Sequence, residues 1–517
     1  MSKSSIAQLS SDAAIDLAID TIGKKKQALI FVNTKRSAEK VAEDLSKKVR
    51  LASPELDELS KKALKVLSKP TRQCERLSKC LKKGVAFHHA GLAHQQKELV
   101  EDSFRSGLVK IIASTPTLAL GVNLPAFRVI MRDVKRYTHQ GYVHIPVLEY
   151  HQMCGRAGRP QFDAYGEAIS VASSDDDRDD LVDRFIRGAP EAIYSKLAVE
   201  PVLRTYLLSL ISSNFVNTKK SIMDFFAKTF WAFQFKDLNH LQKIIEKMLR
   251  LLEDWEFVQS SSKDDFQSAS QIADERYRAT ALGQRVAELY LDPLTAFNLC
   301  NRLKRASMQT ITAFSFLQMV SHTLELRPLL KVKAREFEKM QEVLAEHDSD
   351  LLEDEPSMFE QHYEDFLNSV KTSLFMQDWI EEKDEEYLLE TYDIRPGEIR
   401  VKLDLADWLL YASYEMGRIL GLQPLLKEVA RVRIRLQYGV KEELLPLLKL
   451  RNIGRVRARM LFRNSIKSIG DVKKAELATL TQILGKQIAL SVKEQVEKPI
   501  EPVKENKRKG QINLEDY

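Results

Sequence analysis

The sequence predicts an α/β domain built on a parallel sheet, followed by domains that are mostly helical. Three observations carry this reading. Short apolar runs alternate with helical segments over residues 1–190, the pattern of a parallel sheet with helical crossovers. Beyond Glu191 the strand signal nearly vanishes. Glycine is scarce, 19 of 517 residues, about half the usual ~7%, and the 16 prolines add little further punctuation, so long helices run uninterrupted. A chain of 517 residues is too long for one core and has room for about three or four domains of ~100–200 residues.

Gln27-Ala-Leu-Ile-Phe-Val-Asn33 is a short apolar run ending in a polar loop, the form of a buried parallel strand. Thr34 or Ser37 then caps a helix whose apolar face is Ala38, Val41, Leu45 and Val49. A second strand at Val85-Ala-Phe-His-His89 leads to a helix around His94–Arg105. Further strands follow at residues 109–114, 127–131 and 166–172. Ligands of such sheets sit beyond the carboxyl ends of the strands, which places the chemistry in loops near 32–36, 88–92, 114–123 and 151–160. Residues 191–292 read as helices followed by two short strands, Trp255–Gln259 and Arg276–Thr280, around a Ser/Asp-rich turn; this describes a winged helix. Residues 293–425 are helical throughout, and 426–497 form a basic helical unit. The Lys/Glu/Pro-rich stretch after residue 497 has the composition of a disordered tail.

The formal net charge is only +6, but its distribution is uneven. Gln341–Asp365 holds ten carboxylates and no Lys or Arg, whereas Arg431–Met460 holds nine Lys/Arg against Glu442 and Glu443. That asymmetry suggests a polyanion partner on one surface. The four cysteines, Cys74, Cys80, Cys154 and Cys300, form no C-x-x-C pair and make neither a disulfide framework nor a zinc site; His88 and His89 near Cys80 fit no common zinc spacing, and no metal site is expected. The uncharged stretch Ala306–Leu324 is interrupted by Gln309, Thr310, Thr312, Ser315, Gln318, Ser321 and His322, which predicts a buried helix rather than a membrane span. With no apolar segment at the start, the expected location is cytoplasmic, in association with the nucleoid.

Tyr150-His-Gln-Met-Cys-Gly-Arg-Ala-Gly-Arg-Pro160 carries Gln152, Arg156 and Arg159 as Q-x-x-x-R-x-x-R. On one helical turn the two arginines would share a face, and guanidinium forks suit the spread charge of a phosphoryl-transfer transition state. Ala113-Ser-Thr-Pro-Thr-Leu-Ala-Leu-Gly-Val-Asn-Leu-Pro-Ala126 follows a buried strand, and His88-His-Ala-Gly-Leu92 and Phe31-Val-Asn-Thr-Lys-Arg36 occupy the other loop positions. In this order and spacing the four segments resemble motifs IV, IVa, V and VI of the superfamily 2 helicases, in the form of the Ski-type group. Between the last two lies Arg132–Glu149, which reads as two short strands turning near Gln140-Gly141. It resembles the strand-separating β-hairpin of archaeal Ski-like DNA helicases related to animal HelQ.

The resemblance implies that residues 1–190 are a second RecA-like domain with its hairpin at about 132–149, followed by a winged helix, a helical ratchet domain and a small C-terminal DNA-binding domain. By the same resemblance Arg156 and Arg159 are arginine fingers reaching the ATP γ-phosphate, and Gln152 couples nucleotide to DNA. Thr115, Gly121 and Asn123 link the translocating strand to the nucleotide, and His89 and Gly91 contact the DNA backbone. Tyr137 and Tyr142 flank the hairpin tip, where they either replace a lost base stack or pack the hairpin on its own domain.

In the ratchet region Arg400, Asp404, Trp408 and Tyr411 recur on one helical face. A cation with two aromatics can hold phosphate and stack bases without reading sequence; such a stripe is also the pattern of a core face. In the basic unit, Ile453-Gly454 with Ala458 and Leu484-Gly485 with Ala489 repeat an apolar-Gly-x-x-x-Ala pattern. This looks like the helix-hairpin-helix family, whose glycine turns offer N–H groups to phosphates, although the first turn is Asn452-Ile-Gly rather than Gly-Ile-Gly. Arg451, Arg455, Arg457 and Arg459 supply charge around it. The terminal Gln511, Leu514 and Tyr517 resemble a minimal sliding-clamp-binding peptide.

A motor also needs a glycine-rich phosphate loop with its Lys and Ser/Thr and a carboxylate for Mg²⁺. Gly23-Lys-Lys-Lys and Gly485-Lys-Gln do not satisfy the first pattern, and no D-E-x-H box is present. The expectation is therefore the C-terminal portion of a 3′→5′ DNA helicase, from a split gene or a truncated product, inactive alone and dependent on a partner for ATP and Mg²⁺. Two alternatives stay open: a nucleotide-independent DNA-binding or regulatory protein, and a Ski-type RNA helicase portion.

Overall fold

A computed structural model describes residues 5–497 apart from 68, 139–140, 160–162, 198 and 262–275. The chain divides into two compact units. The first comprises Met1–Val199, Phe226–Asn239 and Asp384–Lys402, and the second Glu200–Phe225, His240–Lys383 and Leu403–Tyr517.

The core of the first unit is a five-stranded parallel sheet. Its strands are β1 (Ala28–Phe31), β2 (Val85–His88), β3 (Ile111–Ser114), β4 (Arg128–Met131) and β7 (Glu167–Ser170), in the order β2-β3-β1-β4-β7. Ala28 lies opposite Ile111 on one side and Arg128 on the other. Every residue of β1 to β4 is buried, which explains why these strands read as unbroken apolar runs rather than as alternating ones. Arg128 is the exception in kind. Its buried guanidinium is satisfied by Asp20, Glu167, Thr21 and the Leu17 carbonyl.

The sheet is flanked by α1 (Ala13–Gly23), α2 (Lys35–Lys48), α3 (Pro54–Leu64), α4 (Arg72–Leu81) and α5 (His94–Arg105). The Thr34 hydroxyl accepts the Ser37 N–H and caps α2, and Ala38, Val41 and Leu45 face the core as the spacing predicts. The pair α3 and α4 fills a stretch to which the sequence reading assigned no element; buried Ser60 and Ser78 join them at 2.7 Å. The short α6 (Thr117–Gly121) connects β3 to β4. Strands β5 (Lys135–Thr138) and β6 (Gly141–His144) form a separate antiparallel hairpin, as expected from residues 132–149. Then come α7 (Val147–Cys154) and α8 (Asp175–Leu181).

The next helices are α9 (Glu200–Ser212), α10 (Lys219–Phe226), α11 (Phe230–Phe235) and α12 (Leu238–Asp254). In the second unit, β8 (Val258–Ser260) pairs antiparallel with β9 (Tyr277–Ala279), the wing that the sequence suggests. Arg204 on α9 makes a buried bidentate pair with Asp292, both bonds at 2.6 Å. Helices α13 (Ala281–Glu288), α14 (Pro293–Ala306) and α15 (Ala313–Ser321) follow. The buried helix expected over Ala306–Leu324 is α15, shorter than the stretch: α14 ends at Ala306 and residues 307–312 are not helical. Thr312 and Ser315 form a capping box that starts α15 afresh. Among the described residues no helix is long and apolar enough to cross a membrane.

The remaining helices are α16 (Phe337–His347), α17 (Tyr363–Ile380), α18 (Glu385–Tyr392), α19 (Pro396–Ile419), α20 (Gln423–Tyr438), α21 (Arg455–Arg463), α22 (Ile469–Lys474), α23 (Leu477–Leu484) and α24 (Lys486–Glu497). Helix α20 runs straight through residue 425, where the sequence reading placed a domain boundary, and stops at the left-handed Gly439. Beyond it a separate small core gathers Val440, Leu450, Ile453, Ala458, Leu484 and Ala489.

One close approach joins the segment after α7 to β7. A Cβ on Gly166 would lie 2.3 Å from the Gly158 nitrogen and 2.5 Å from its Cα, backbone atoms that cannot yield without moving the chain. Gly166→Ala is expected to lower stability by about 1–3 kcal/mol. Gly23→Ala, where nothing lies within 4 Å, should stay within about 0.5 kcal/mol. Paired denaturant melts check the contrast.

Candidate nucleotide and nucleic-acid site

Three of the four singled-out loops leave the carboxyl ends of the sheet. Residues 32–36 follow β1, 89–92 follow β2 and Thr115 follows β3. The fourth does not join them. The polypeptide from Thr115 passes through α6 to the amino end of β4, and there it meets the segment after α7. Ala126 N–H donates to the Arg156 carbonyl (2.9 Å) and Gly158 N–H to the Ala126 carbonyl (2.7 Å), a parallel bridge between Ala126 and Ala157.

Arg156 and Arg159 do not share a helical turn. Helix α7 stops at Cys154, capped by Gly155; Arg156 lies in the turn that follows, its N–H donating to the Met153 carbonyl (3.0 Å), and Arg159 lies in irregular chain past the bridge at Ala157. Gly158 takes φ +92° there, a left-handed conformation that breaks any continuing helix. Arg156 donates through Nη2 to the Ala119 carbonyl of α6. Arg159 donates to Asp163 through Nε (2.7 Å) and to Gln27 Oε1 through Nη1 (2.7 Å). Gln27 immediately precedes β1, so Arg159 lies at the amino end of the sheet rather than the carboxyl end. The Arg159 hydrogen bond holds the buried Asp163 carboxyl below its usual range, against the effect of burial and with help from Lys26. Gln152 and Asn123 are exposed, and Thr115 is buried with its hydroxyl 3.0 Å from that of Thr117; Gly121 ends α6.

His89 and Gly91 are both buried and so cannot themselves touch a nucleic-acid backbone; Ala90 and His94 are the exposed neighbours. Gly91 N–H donates to His89 Nδ1 at 3.1 Å, and His89 Nε2 lies 3.2 Å from Glu39 Oε1. Nδ1 must therefore be the acceptor and Nε2 the protonated nitrogen, an assignment made from the hydrogen-bond pattern. Burial keeps His89 below its usual value, and so neutral. Glu39 also receives Gln73 Nε2 and Arg76. Burial would raise its carboxyl, but the His89 hydrogen bond and the charges of Arg395 and Arg76 outweigh it and hold the group at about 2. Glu39 carries no motif signal; only its place on the inner face of α2 marks it.

On the hairpin, Tyr137 and Tyr142 face each other across β5 and β6, 76% and 73% exposed, with ring centroids 5.5 Å apart. They pack on one another and stand in solvent.

In the second unit the aromatic stripe is partly engaged. Trp408 is half-buried and donates Nε1–H to the Leu289 carbonyl (3.2 Å). The Tyr411 hydroxyl accepts from Arg285 (3.0 Å), and its ring lies 4.8 Å from the Arg433 guanidinium. Arg400, on the part of α19 that belongs to the first unit, is exposed, and Asp404, in the second unit, is exposed as well.

Gly454 caps α21 with φ −111°, while Asn452 takes the left-handed φ of 66°; asparagine tolerates that region, so the substituted turn keeps a glycine-like bend. Gly485 has φ 82° ahead of α24. Arg451 and Arg457 are exposed. Arg459 is committed to Glu382 (2.7 and 2.8 Å) and Glu443 (2.6 Å), and Arg455 donates to the Lys383 carbonyl and lies over the Trp379 ring at 5.0 Å. Those two arginines hold the basic unit to the end of α17. Gln511, Leu514 and Tyr517 lie outside the described residues.

Residues 55–161 match the "Helicase conserved C-terminal domain", 166–259 a "Helix-turn-helix domain" and 314–439 "Archaeal helicase, domain 4". The chain is 37% identical over 502 residues to the ATP-dependent DNA helicase Hel308 of Methanocella arvoryzae, covering 95% of this chain and 65% of that protein. It is 36% identical to that of Methanococcus vannielii, covering 93% and 68%. The chain belongs to the Hel308 family. Against the Pyrococcus horikoshii Hel308 the identity is 37%, over 91% of this chain and 64% of the relative; the chain thus spans about two-thirds of the length of the Hel308 proteins it matches.

The Glu39 cluster gives a pH expectation. Its folded value, about 2, lies below the ordinary 4.5, so the stability it adds is present above 4.5 and is lost as pH falls toward 2. Glu39→Gln should flatten that acid limb in this Hel308-family chain, read from denaturant midpoints across the interval.

Proposed function

We propose that this chain is the C-terminal part of an ATP-dependent 3′→5′ DNA helicase that unwinds forked DNA in replication-coupled repair. A phosphate-loop domain, supplied by a partner or by a further part of the same polypeptide, holds most of the ATP and Mg²⁺. The observation that carries this reading is the joining of residues 115–126 to 156–158. It ties a loop at the carboxyl end of the sheet to the two arginines at its amino end, which is the connection a nucleotide-driven translocator requires. Its relation to animal HelQ belongs to the same proposal.

In this reading Arg156 and Arg159 stabilise charge on the transferred phosphoryl group. Arg159 leaves Asp163 and Gln27 to do so, and that exchange of one anion for another is the local switch. Thr115 and Asn123 stand at opposite ends of one short connection that links the strand to the nucleotide. The domains are a RecA-like domain to residue 190, a winged helix to 292, a ratchet domain to about 425 and a DNA-binding domain to 497. Trp408 and Arg400 contact the single strand, and Arg451 and Arg457 with the turns at Gly454 and Gly485 hold phosphates without sequence preference. A sliding clamp is a further partner through residues 511–517.

ATP hydrolysis with single-stranded DNA tests the proposal. The chain alone should show negligible turnover, and addition of a polypeptide bearing a phosphate loop and D-E-x-H box should restore it. Arg159→Ala should then reduce the restored rate by about 10³-fold or more. Robust turnover by the chain alone would sink the reading. A nucleotide-independent DNA-binding role draws on the present engagement of Arg159 by Asp163 and Gln27; full cellular function with both arginines changed to alanine would favour it.

The tyrosine pair gives a separate expectation. Tyr137→Ala with Tyr142→Ala should slow unwinding in the restored motor severalfold while leaving its DNA-stimulated ATPase intact, since a stacked base is worth about 1–3 kcal/mol and neither ring supports the core.

A further inference from the structure

Two of the loops at the carboxyl end of the sheet are anchored to one short segment far away in sequence. Arg36 Nη2 donates to Asp393 (2.7 Å) and Lys35 pairs with Glu398. Arg395 donates Nε–H to Glu39 Oε1 (3.3 Å), the same carboxylate that holds His89. Gly397 N–H donates to the Gly91 carbonyl (3.1 Å). The surfaces interlock without space for a side chain. A Cβ on Gly91 would lie 2.3 Å from Arg395 Cδ, and one on Gly397 2.3 Å from the Leu92 carbonyl oxygen and 2.4 Å from that of Ala90.

Three polar groups of the buried turn are thereby assigned. The Gly91 N–H goes to His89, the Gly91 carbonyl to Gly397, and the His89 ring to Glu39. Arg395 lies against Gly91 while its guanidinium meets Glu39, which gives that carboxylate a second cation besides Arg76. Removing Arg395 opens space beside Gly91 and removes one of the charges that fix the Glu39–His89 contact.

We propose that Arg395 and Glu39 are positioning residues for the 89–92 turn, and that residues 393–398 bind this turn and the first turn of α19 into one body. A DNA backbone held at the exposed rim of the turn, at Ala90 and His94, then moves with the start of α19. The inference rests on the DNA contact that the helicase resemblance implies for this turn, taken at its exposed rim rather than at His89 and Gly91, and it adds Arg395 and Glu39 to that turn.

The test uses the full chain, oligo(dT) binding by fluorescence anisotropy, and hydrogen–deuterium exchange of peptides spanning 86–96. Arg395→Ala should speed exchange at 89–93 and weaken oligo(dT) binding about three- to tenfold, the loss of one or two backbone hydrogen bonds, with exchange in β1 and β3 unchanged. Arg395→Lys should recover part of both effects. Gly397→Ala, which wedges the segment from the turn while keeping every charge, should reproduce the alanine phenotype. Faster exchange with unchanged oligo(dT) affinity in both Arg395→Ala and Gly397→Ala would overturn the positioning role, and unchanged exchange would overturn the anchoring itself. A wild-type chain that does not bind oligo(dT) overturns the DNA reading beneath both.

Discussion

In a parallel sheet every connection must return from the carboxyl end of one strand to the amino end of the next, and the site depends on that constraint. The β3–β4 connection leaves Ser114 beside the turn at 89–92 and arrives at Ala126 beside Arg156. It is short, so it carries Thr115 at one end and Asn123 at the other with only α6 between. The segment carrying the arginines and the carboxyl end of the sheet are thus separated by a single short helix, which Arg156 itself grips at the Ala119 carbonyl.

Buried charge fixes the two ends of that path. Asp163 and Glu39 are both sequestered carboxylates, and each stays ionised because several donors converge on it: Arg159 and Lys26 on the first, His89, Gln73, Arg76 and Arg395 on the second. A buried carboxylate with one partner removed is costly, so both clusters resist partial change. They differ in what a substrate can do to them. Asp163 competes for Arg159 with any phosphate that approaches, whereas Glu39 lies beneath the turn and is reached only through it.

How much of this the sequence displays follows from the range of the interactions. The strands were legible because a doubly covered strand must be apolar throughout, and the α2 cap because Thr34 acts within three residues of itself. The hairpin showed as two short strands with a glycine at the turn. Arg156 and Arg159 were recognisable as a pair, but their shared helical turn failed because α7 ends at Cys154 and Gly158 between them takes a left-handed φ, packed closely on Gly166. Pairs such as Arg395 with Glu39 or Lys69 with Asp384 join residues more than three hundred positions apart, and no local pattern marks them. The same reason hid the attachment of residues 384–402 to the first unit, since α19 reads as one uninterrupted helix.

The charge asymmetry of the chain is a further case in which composition and structure diverge. The nine basic residues of Arg431–Met460 suggest a broad positive surface. Four of them are drawn inward: Arg433 pairs with Asp407, Arg435 with Glu381, Arg459 with Glu382 and Glu443, and Arg455 reaches the Lys383 carbonyl over Trp379. These contacts join α20 to α19 and to the end of α17, and α21 to the residues just past α17; Gly439 allows the Trp379 ring to come within 2.6 Å of where its Cβ would lie. The positive face left to a polyanion is therefore narrower than the sequence implies and centres on Arg451 and Arg457 beside the Asn452-Ile-Gly turn. For the proposed phosphate contact there, turn geometry would count as much as charge, because the guanidiniums that would make it a diffuse patch are already holding the domain in place.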